Sequence, residues 1–322
     1  MHLWPLIKEQ LGLRFTKHNK MNAFHAWVYA ARLRTLPLSV SGILIAAALA
    51  IDDQQFSWPI FLWSIAVTLF LQILSNFAND YGDGIKGTDN EKRVGPARAL
   101  QSGILNAIAL KRGMFILGFL VVLSVTALFM SAQLSIEELV VFVLLSLVAL
   151  AAAIAYTVGE RPYGYAGLGD LMVFLFFGGV AVLAGTYIYT KGLTYTQLWF
   201  AIAVGAFSTA VLNLNNMRDV VSDQEAAKNT VVVRLGYSKA IMYHHLLVIV
   251  AFFAFIAATA RINPNATLVA IPMALLLRAH LGRVRKAKQG TADLDPELKK
   301  VAMLCFMAAL FILVFVLIRE EL

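Results

Sequence analysis

The sequence predicts an all-α integral membrane protein with nine transmembrane helices, and three observations carry that prediction. Of the 322 residues, 60% are apolar and only 14% charged, too little polar surface to cover a soluble core of that size. Mean hydropathy is +0.73. The apolar residues fall into runs close to the length of about 20 that a helix needs to cross a bilayer, and the basic residues are confined to alternate loops.

In chain order the predicted spans are 36–51, 58–78, 113–132, 139–159, 171–190, 193–217, 240–260, 262–277 and 301–318. The first and eighth are short and carry Pro37 and Pro272. With nine spans, every Lys and Arg except Lys191, Arg261 and Arg319 falls on one face, together with the N-terminus. Positive loops stay inside, so that face is assigned to the cytoplasm. Adding or losing one central span would destroy the segregation. The net charge of +8 is therefore topological, and no nucleic-acid surface is expected. Residues 1–35 form a cytoplasmic segment whose stretch 22–35, with Phe24, Trp27, Val28 and Arg32, suits an interfacial amphipathic helix. Residues 36–322 form a single transmembrane domain. The lone Cys305 sits in an apolar run and allows no internal disulfide. His244, His245 and His280 are read as headgroup contacts.

Acidic residues cluster at two places that nearly repeat each other. Asn79-Asp80-Tyr81-Gly82-Asp83, followed by Asp89, ends the second span; Asn215-Asn216-Met217-Arg218-Asp219, followed by Asp223, ends the sixth. Four crossings separate them, so both emerge on the same face, and the spacing suggests two four-helix repeats plus one further helix. Asn79 and Asp83 share a helix face if the second span continues through them. Gly84 and Gly87 then break the helix and let Asp89 fold back. Asn215, Asp219 and Asp223 form one stripe at four-residue spacing. A single aspartate at a helix end is a cap or an ion-pair partner. Two matched Asn/Asp sets, with no His or Cys, are hard oxygen donors that suit Mg²⁺ or Mn²⁺. Facing acids would repel unless cations stood between them, and a diphosphate bridging two such ions becomes a better leaving group.

The Gly-rich loop 90–103 is long for a membrane connection, and its Arg93 and Arg98, with Lys86 before it and Lys228 after the second motif, are candidates for diphosphate binding. Arg234 is placed to do the same. The loop after the fourth span carries Tyr156, Arg161 and Tyr163. These can hold an aromatic acceptor or steady an allylic cation through ring faces; an interfacial aromatic belt is the competing reading.

These motifs resemble those of the UbiA superfamily of intramembrane prenyltransferases, within it the naphthoate branch. The carriers are 71–76 (LQILSN), 78–83 (ANDYGD), Lys86-Gly87, 156–159 (YTVG), 161–165 (RPYGY), 167–170 (GLGD), and Lys228-Asn229-Thr230 followed by Val233-Arg234-Leu235-Gly236. The resemblance covers residues 30–320. It implies transfer of a polyprenyl group from polyprenyl diphosphate to 1,4-dihydroxy-2-naphthoate, with loss of CO2 and diphosphate, giving demethylmenaquinone. It also implies two Mg²⁺ (Mn²⁺ as a substitute) held by Asn79, Asp83, Asp89, Asn215, Asp219 and Asp223, a chamber open to lipid for the tail, and residence in a bacterial inner membrane with the site on the cytoplasmic side. Asp83 and Asp89 stand six apart where four is the commoner family spacing, a form that fits the naphthoate branch. A family member acting on 4-hydroxybenzoate or haem is the runner-up. A cation-coupled transporter would need carboxylates at mid-span, and the spans are almost free of charge.

Overall fold

In a computed structural model, residues 22–89 and 93–321 are described; Lys8, Arg14, Lys17, Lys20 and Lys92 of the charge pattern lie outside them. Helices dominate and no strand occurs among these residues. Helix α1 (Ala23–Ala31) leads through a 3-10 turn at Leu33–Thr35 into α2 (Leu36–Asp52). Then follow α3 (Trp58–Ile85), α4 (Ala107–Ser131), α5 (Ile136–Ala155), α6 (Gly169–Thr190) and α7 (Tyr195–Arg218). Two short helices, α8 (Val220–Glu225) and α9 (Val231–Leu235), precede α10 (Tyr237–Ile262), α11 (Ala270–Lys286) and α12 (Asp295–Glu321). Nine segments among the described residues are long and apolar enough to cross a membrane, each overlapping a predicted span.

Local chemistry sets the boundaries. Ser135 with Glu138, and Thr194 with Gln197, form capping boxes at the starts of α5 and α7. Asn22, Asn106 and Thr230 cap α1, α4 and α9. Pro37 and Pro59 stand in first turns, where no amide hydrogen bond is lost. Leu, Ile, Val and Phe cover the outward faces of the bundle, as a lipid solvent requires. On α5 only Ala152 is buried.

Helices α2 and α7 are the most enclosed spans and pack with α6, α10 and α12 into one core that includes Phe200, Phe207, Leu214 and Ile312. Small residues allow the close approaches. A Cβ on Gly178 of α6 would stand 2.3 Å from the Ala201 carbonyl oxygen of α7, and one on Gly42 of α2 would meet Ala181 at 2.6 Å. Residues Phe174–Ala184 in the middle of α6 take a π-helical form. A second cluster joins Ala26 and Ala30 of α1 to Leu74, Phe77, Leu110 and Leu117, so α1 packs against α3 and α4.

Three expectations change. The second span runs on to Ile85, past Gly84, because a glycine inside a helix carrying its full hydrogen-bond ladder weakens it without ending it. The 215–219–223 stripe is broken, since α7 ends at Arg218 and Asp219 is its cap (φ −92°, ψ 9°). His244 and His280 do not contact headgroups. Both are buried, with Nε2 atoms 2.8 Å apart, and His280 Nδ1 lies 2.7 Å from Glu297 Oε2. Arg283 and Lys300 close on Glu297 Oε1 at 2.6 and 2.7 Å. Lys300 reaches Glu297 within α12, but the His244–His280, His280–Glu297 and Arg283–Glu297 contacts join different helices, where sequence separation hides them.

Candidate active site at the mouth of an apolar cavity

A cavity of about 790 Å³ runs between the spans. Its deep walls are apolar, with Leu71, Val121, Phe129, Phe142, Phe176 and Val180 among them, and the π-helical segment supplies much of one side. Its mouth is lined by Asn79, Asp83, Arg93, Arg98, Asn215, Arg218, Lys228 and Asp295. Asn79 and Asp83 of the first motif and Asn215 of the second thus share one opening, while Asp89, Asp219 and Asp223 are not among its lining residues and join it through Arg93, Arg218 and Lys228.

The same turn builds each motif. At the end of α3, the Thr88 amide donates to the Asp83 carbonyl at 3.0 Å and the Gly87 amide to the Gly84 carbonyl at 3.3 Å, with Gly87 at φ +73°. This is a Schellman cap, and it returns the chain so that Asp89, whose amide also reaches the Asp83 carbonyl, lies beside Asp83. At the end of α8, the Lys228 amide donates to the Asp223 carbonyl at 2.8 Å and the Ala227 amide to the Gln224 carbonyl at 3.1 Å, with Ala227 at φ +53°. Asp83 and Asp223 therefore hold the same position in two matching caps.

Basic groups stitch the two motifs together. Lys228 Nζ stands 3.6 Å from Asp83 Oδ2 and 3.7 Å from Asp223 Oδ1. Arg93 Nε is 2.8 Å from Asp89 Oδ1, and its Nη2 is 3.3 Å from Asp219 Oδ2. Cations do stand between the facing acids, as mutual repulsion requires. Arg98 is held loosely, its Nε 3.7 Å from Asp80 and 3.8 Å from Asp89. Asp80 turns away from the opening to pair with Arg32 and to accept the Ala99 amide at 3.1 Å.

Arg218 grips Asp219 with two hydrogen bonds, 2.8 and 2.7 Å, while reaching Asn215 Oδ1 at 2.7 Å and Asp295 Oδ1 at 2.6 Å. Such a fork is a task for Arg. Tyr165 donates to Asp83 Oδ1 at 2.8 Å, bonds Thr88, and lies under Lys228 at 5.4 Å from its ring centre. Arg32, Tyr165, Arg218 and Asp295 were not singled out by sequence reasoning. Arg218 lies inside the second motif, Tyr165 inside the 161–165 stretch and Arg32 inside the amphipathic 22–35 stretch, where its pairing with Asp80 was not legible; Asp295 gave no sequence signal.

Burial drives the titration of these groups. It pushes the Asp223 carboxyl up to about 7 against the pull of Lys228. Burial also raises Asp89, opposed by Arg98 and Arg93. On Asp219 burial acts upward too, but the hydrogen bonds and charge of Arg218 prevail and hold it below the ordinary range. Lys228 is desolvated, yet Asp83 and Asp223 together hold its ammonium firmly protonated.

Three basic or loop candidates, Lys86, Arg161 and Arg234, stand apart from the cavity. Lys86 spends its ammonium on the Thr157 and Gly159 carbonyls, at 2.8 and 2.9 Å, and does not line the opening. It holds the 156–159 loop against the first motif, where Thr157 Oγ1 donates to Asn79 Oδ1 at 3.2 Å. Arg161 is exposed on the far side of that loop. Arg234 is tied to the Ala166 carbonyl at 2.6 Å. Tyr156 and Tyr163 do line the wall, edge to face at 5.3 Å, with Tyr163 donating to the Ala152 carbonyl at 2.9 Å; burial pushes the Tyr156 phenol up to about 12.

The donor set fits a divalent metal. Among the described residues, Asp89 Oδ2 and Asp223 Oδ2 are buried with no hydrogen-bond partner, and the neighbouring ligand atoms are carboxylate and amide oxygens, the hard ligands Mg²⁺ prefers. No three acidic, His or Cys side chains converge to cage an ion among the described residues. Mg²⁺ ordinarily takes one or two carboxylates and completes its shell with water and substrate phosphate.

A nine-span helical bundle with paired Asn/Asp motifs at the mouth of an apolar chamber is the architecture of an intramembrane prenyltransferase. The model of the UbiA prenyltransferase family matches residues 39–294, and the chain belongs to that family. It is 43% identical over 69% of its length to the 1,4-dihydroxy-2-naphthoate octaprenyltransferase of Escherichia coli, covering 72% of that protein. To the enzyme of the same name from Haemophilus influenzae it is 38% identical over 87% of this chain and 92% of the relative. Among solved structures it resembles a UbiA homologue from Archaeoglobus fulgidus bound to GPP and Mg²⁺, with a TM-score of 0.64 at 13% identity over 89% of this chain and 99% of the other. It also resembles the apo structure of a UbiA homologue from Aeropyrum pernix, with a TM-score of 0.57 at 16% identity over 94% of this chain and all of the other.

Proposed function

We propose that the protein transfers a polyprenyl group from polyprenyl diphosphate to 1,4-dihydroxy-2-naphthoate, with loss of diphosphate and CO2, giving the demethylmenaquinone skeleton. One observation carries the reading: two matched acidic motifs, bridged by Lys228 and Arg93, stand at the mouth of an apolar cavity large enough for a lipid tail. The relatives named above share that activity in name over most of the chain.

Asn79, Asp83 and Asp89 on one side, with Asn215, Asp219 and Asp223 on the other, would hold two Mg²⁺ ions, Mn²⁺ being a substitute of the same chemistry. When bound, the metal supplies charge neutralisation that makes diphosphate a better leaving group. Arg93, Arg98 and Lys228 exchange their present carboxylate partners for phosphate oxygens and stabilise the charge that builds on them. Arg218 fixes Asn215 and Asp219 in orientation throughout. The apolar walls take the tail and exclude water from the allylic centre. The ring faces of Tyr156 and Tyr163 line the wall where a cation is steadied. The electron-rich ring forms the new C–C bond to that centre, and loss of its carboxylate as CO2 returns the electron pair to the ring, leaving the 1,4-diol, the reduced form of demethylmenaquinone. The basic face lies in the cytoplasm of a bacterial cell membrane, where a water-soluble aromatic acid reaches the mouth.

Purified protein in proteoliposomes, given radiolabelled polyprenyl diphosphate and a panel of aromatic acids, tests this. Prenylated product with labelled CO2 is expected from carboxyl-labelled 1,4-dihydroxy-2-naphthoate. Product from 4-hydroxybenzoate alone would overturn the acceptor.

A further inference from the structure

Seven basic side chains line the cavity, and five of them face carboxylates already described. The other two, Arg34 and Lys299, have no carboxylate within ion-pair distance among the described residues, although both line the same mouth. Arg34 lies in the 3-10 turn that leads into α2, and Lys299 in the second turn of α12. Those two helices pack against each other, so both cations come from one side of the opening.

Local sequence explains why Lys299 is free. The nearest acids on its own helix are Asp295, one turn before it, and Glu297. Asp295 is committed to Arg218 Nη1 at 2.6 Å. Glu297 is held by His280, Arg283 and Lys300. Around the two cations the lining is mixed: Thr35 and Ser39 offer hydroxyls, and Leu38, Leu298 and Ala302 offer apolar contact. Both cations are exposed at the mouth, and an anion entering there meets in them positive charge that no described carboxylate neutralises. A planar apolar ring carrying one carboxylate suits this wall, whereas a diphosphate is served by Arg93, Arg98 and Lys228 on the other side.

We propose that Arg34 and Lys299 form the subsite that binds the carboxylate of the aromatic acceptor, turning its ring toward the mouth where the diphosphate leaves. The proposal rests on the acceptor reading above and deepens it. It makes this pair, outside the acidic motifs, the determinant of preference for aromatic acids over the corresponding diols.

The test compares full-length wild type, Arg34→Gln and Lys299→Gln in proteoliposomes on two acceptors, 1,4-dihydroxy-2-naphthoate and 1,4-dihydroxynaphthalene, which lacks the carboxylate. Each variant is expected to raise KM for the acid about tenfold, the equivalent of one charge-assisted hydrogen bond. The acid-to-diol ratio of kcat/KM falls by the same factor, while KM for polyprenyl diphosphate stays within about twofold. Arg34→Lys, which keeps the charge, retains most of the preference and shows that the fold survives change at this turn. An unchanged acid-to-diol ratio in both Gln variants overturns the proposal. So does a rise in KM for polyprenyl diphosphate with the acid's KM unaltered, which would make the pair a phosphate subsite. Failure of the acceptor reading itself looks different: wild type then prenylates neither naphthalene compound.

Discussion

Lys228 Nζ lies 3.6 Å from Asp83 Oδ2, tying the turn after the sixth span to the end of the second. With Asp223 at 3.7 Å on its other side, this ammonium stands where two facing carboxylates most need positive charge. It serves as their counter-ion in the structure, and in the function proposed above it would pass to phosphate oxygens.

Lys228→Met is therefore expected to act twice. Without metal it leaves two buried carboxylates unpaired, a loss of about 3–5 kcal/mol by analogy with other broken buried pairs. Added Mg²⁺ should recover more stability in this variant than in wild type, which melting curves with and without the ion will show. KM for polyprenyl diphosphate should rise about tenfold or more.

Metal binding should depend on pH through Asp223. Its carboxyl, raised by burial to about 7, must lose a proton before it can ligate. Apparent Mg²⁺ affinity is thus expected to climb as pH rises toward 7, by up to about tenfold per unit, and to level off above. Titration of Mg²⁺-dependent activity over roughly one unit either side of that value measures it. Excess EDTA should abolish turnover, and Mn²⁺ should restore it.

Gly82 is where the 156–159 loop touches the first motif. A Cβ there would meet the Thr157 carbonyl oxygen at 2.6 Å and its carbonyl carbon at 2.7 Å, and backbone cannot swing aside. Gly82→Ala should push away the loop that carries Tyr156 and holds Asn79. Misplacement on the ångström scale costs roughly a hundredfold in rate, read as kcat with the protein still folded in the membrane.

Ala227 takes the left-handed position of the second cap at φ +53°, where the first cap uses Gly87. Ala227→Gly relieves that strain and should stabilise by about 0.5–1 kcal/mol or leave stability level, since glycine also gains freedom when unfolded. A thermal melt decides it.

Nine spans and both motifs were legible because they rest on composition and spacing, which bilayer thickness and helix geometry translate directly. Asn79, Asp83 and Asn215, which line the cavity mouth, were legible for the same reason: they stand at span ends, and Lys228 follows the second motif closely in sequence. Contacts between distant segments were not legible. Lys86 looked like a phosphate ligand by its place beside Asp83, yet the Thr157 and Gly159 carbonyls claim it. Arg161 looked like part of an acceptor wall, yet the turn at Pro162 leaves it exposed while Tyr163 faces inward. His244 and His280 seemed solitary because their pairing crosses two helices. Asp295 carried no signal at all, and it gains meaning only through Arg218.

The most direct test of the central claim, that the two motifs act as one diphosphate-cleaving site, is Mg²⁺-dependent prenyl transfer by Asp83→Asn, by Asp219→Asn and by the double variant. Each single change should lower kcat/KM by about a thousandfold or more, the scale of lost transition-state charge stabilisation, and the double variant should be little worse than either, as expected of groups acting as a unit. Full turnover in either single variant would contradict the account.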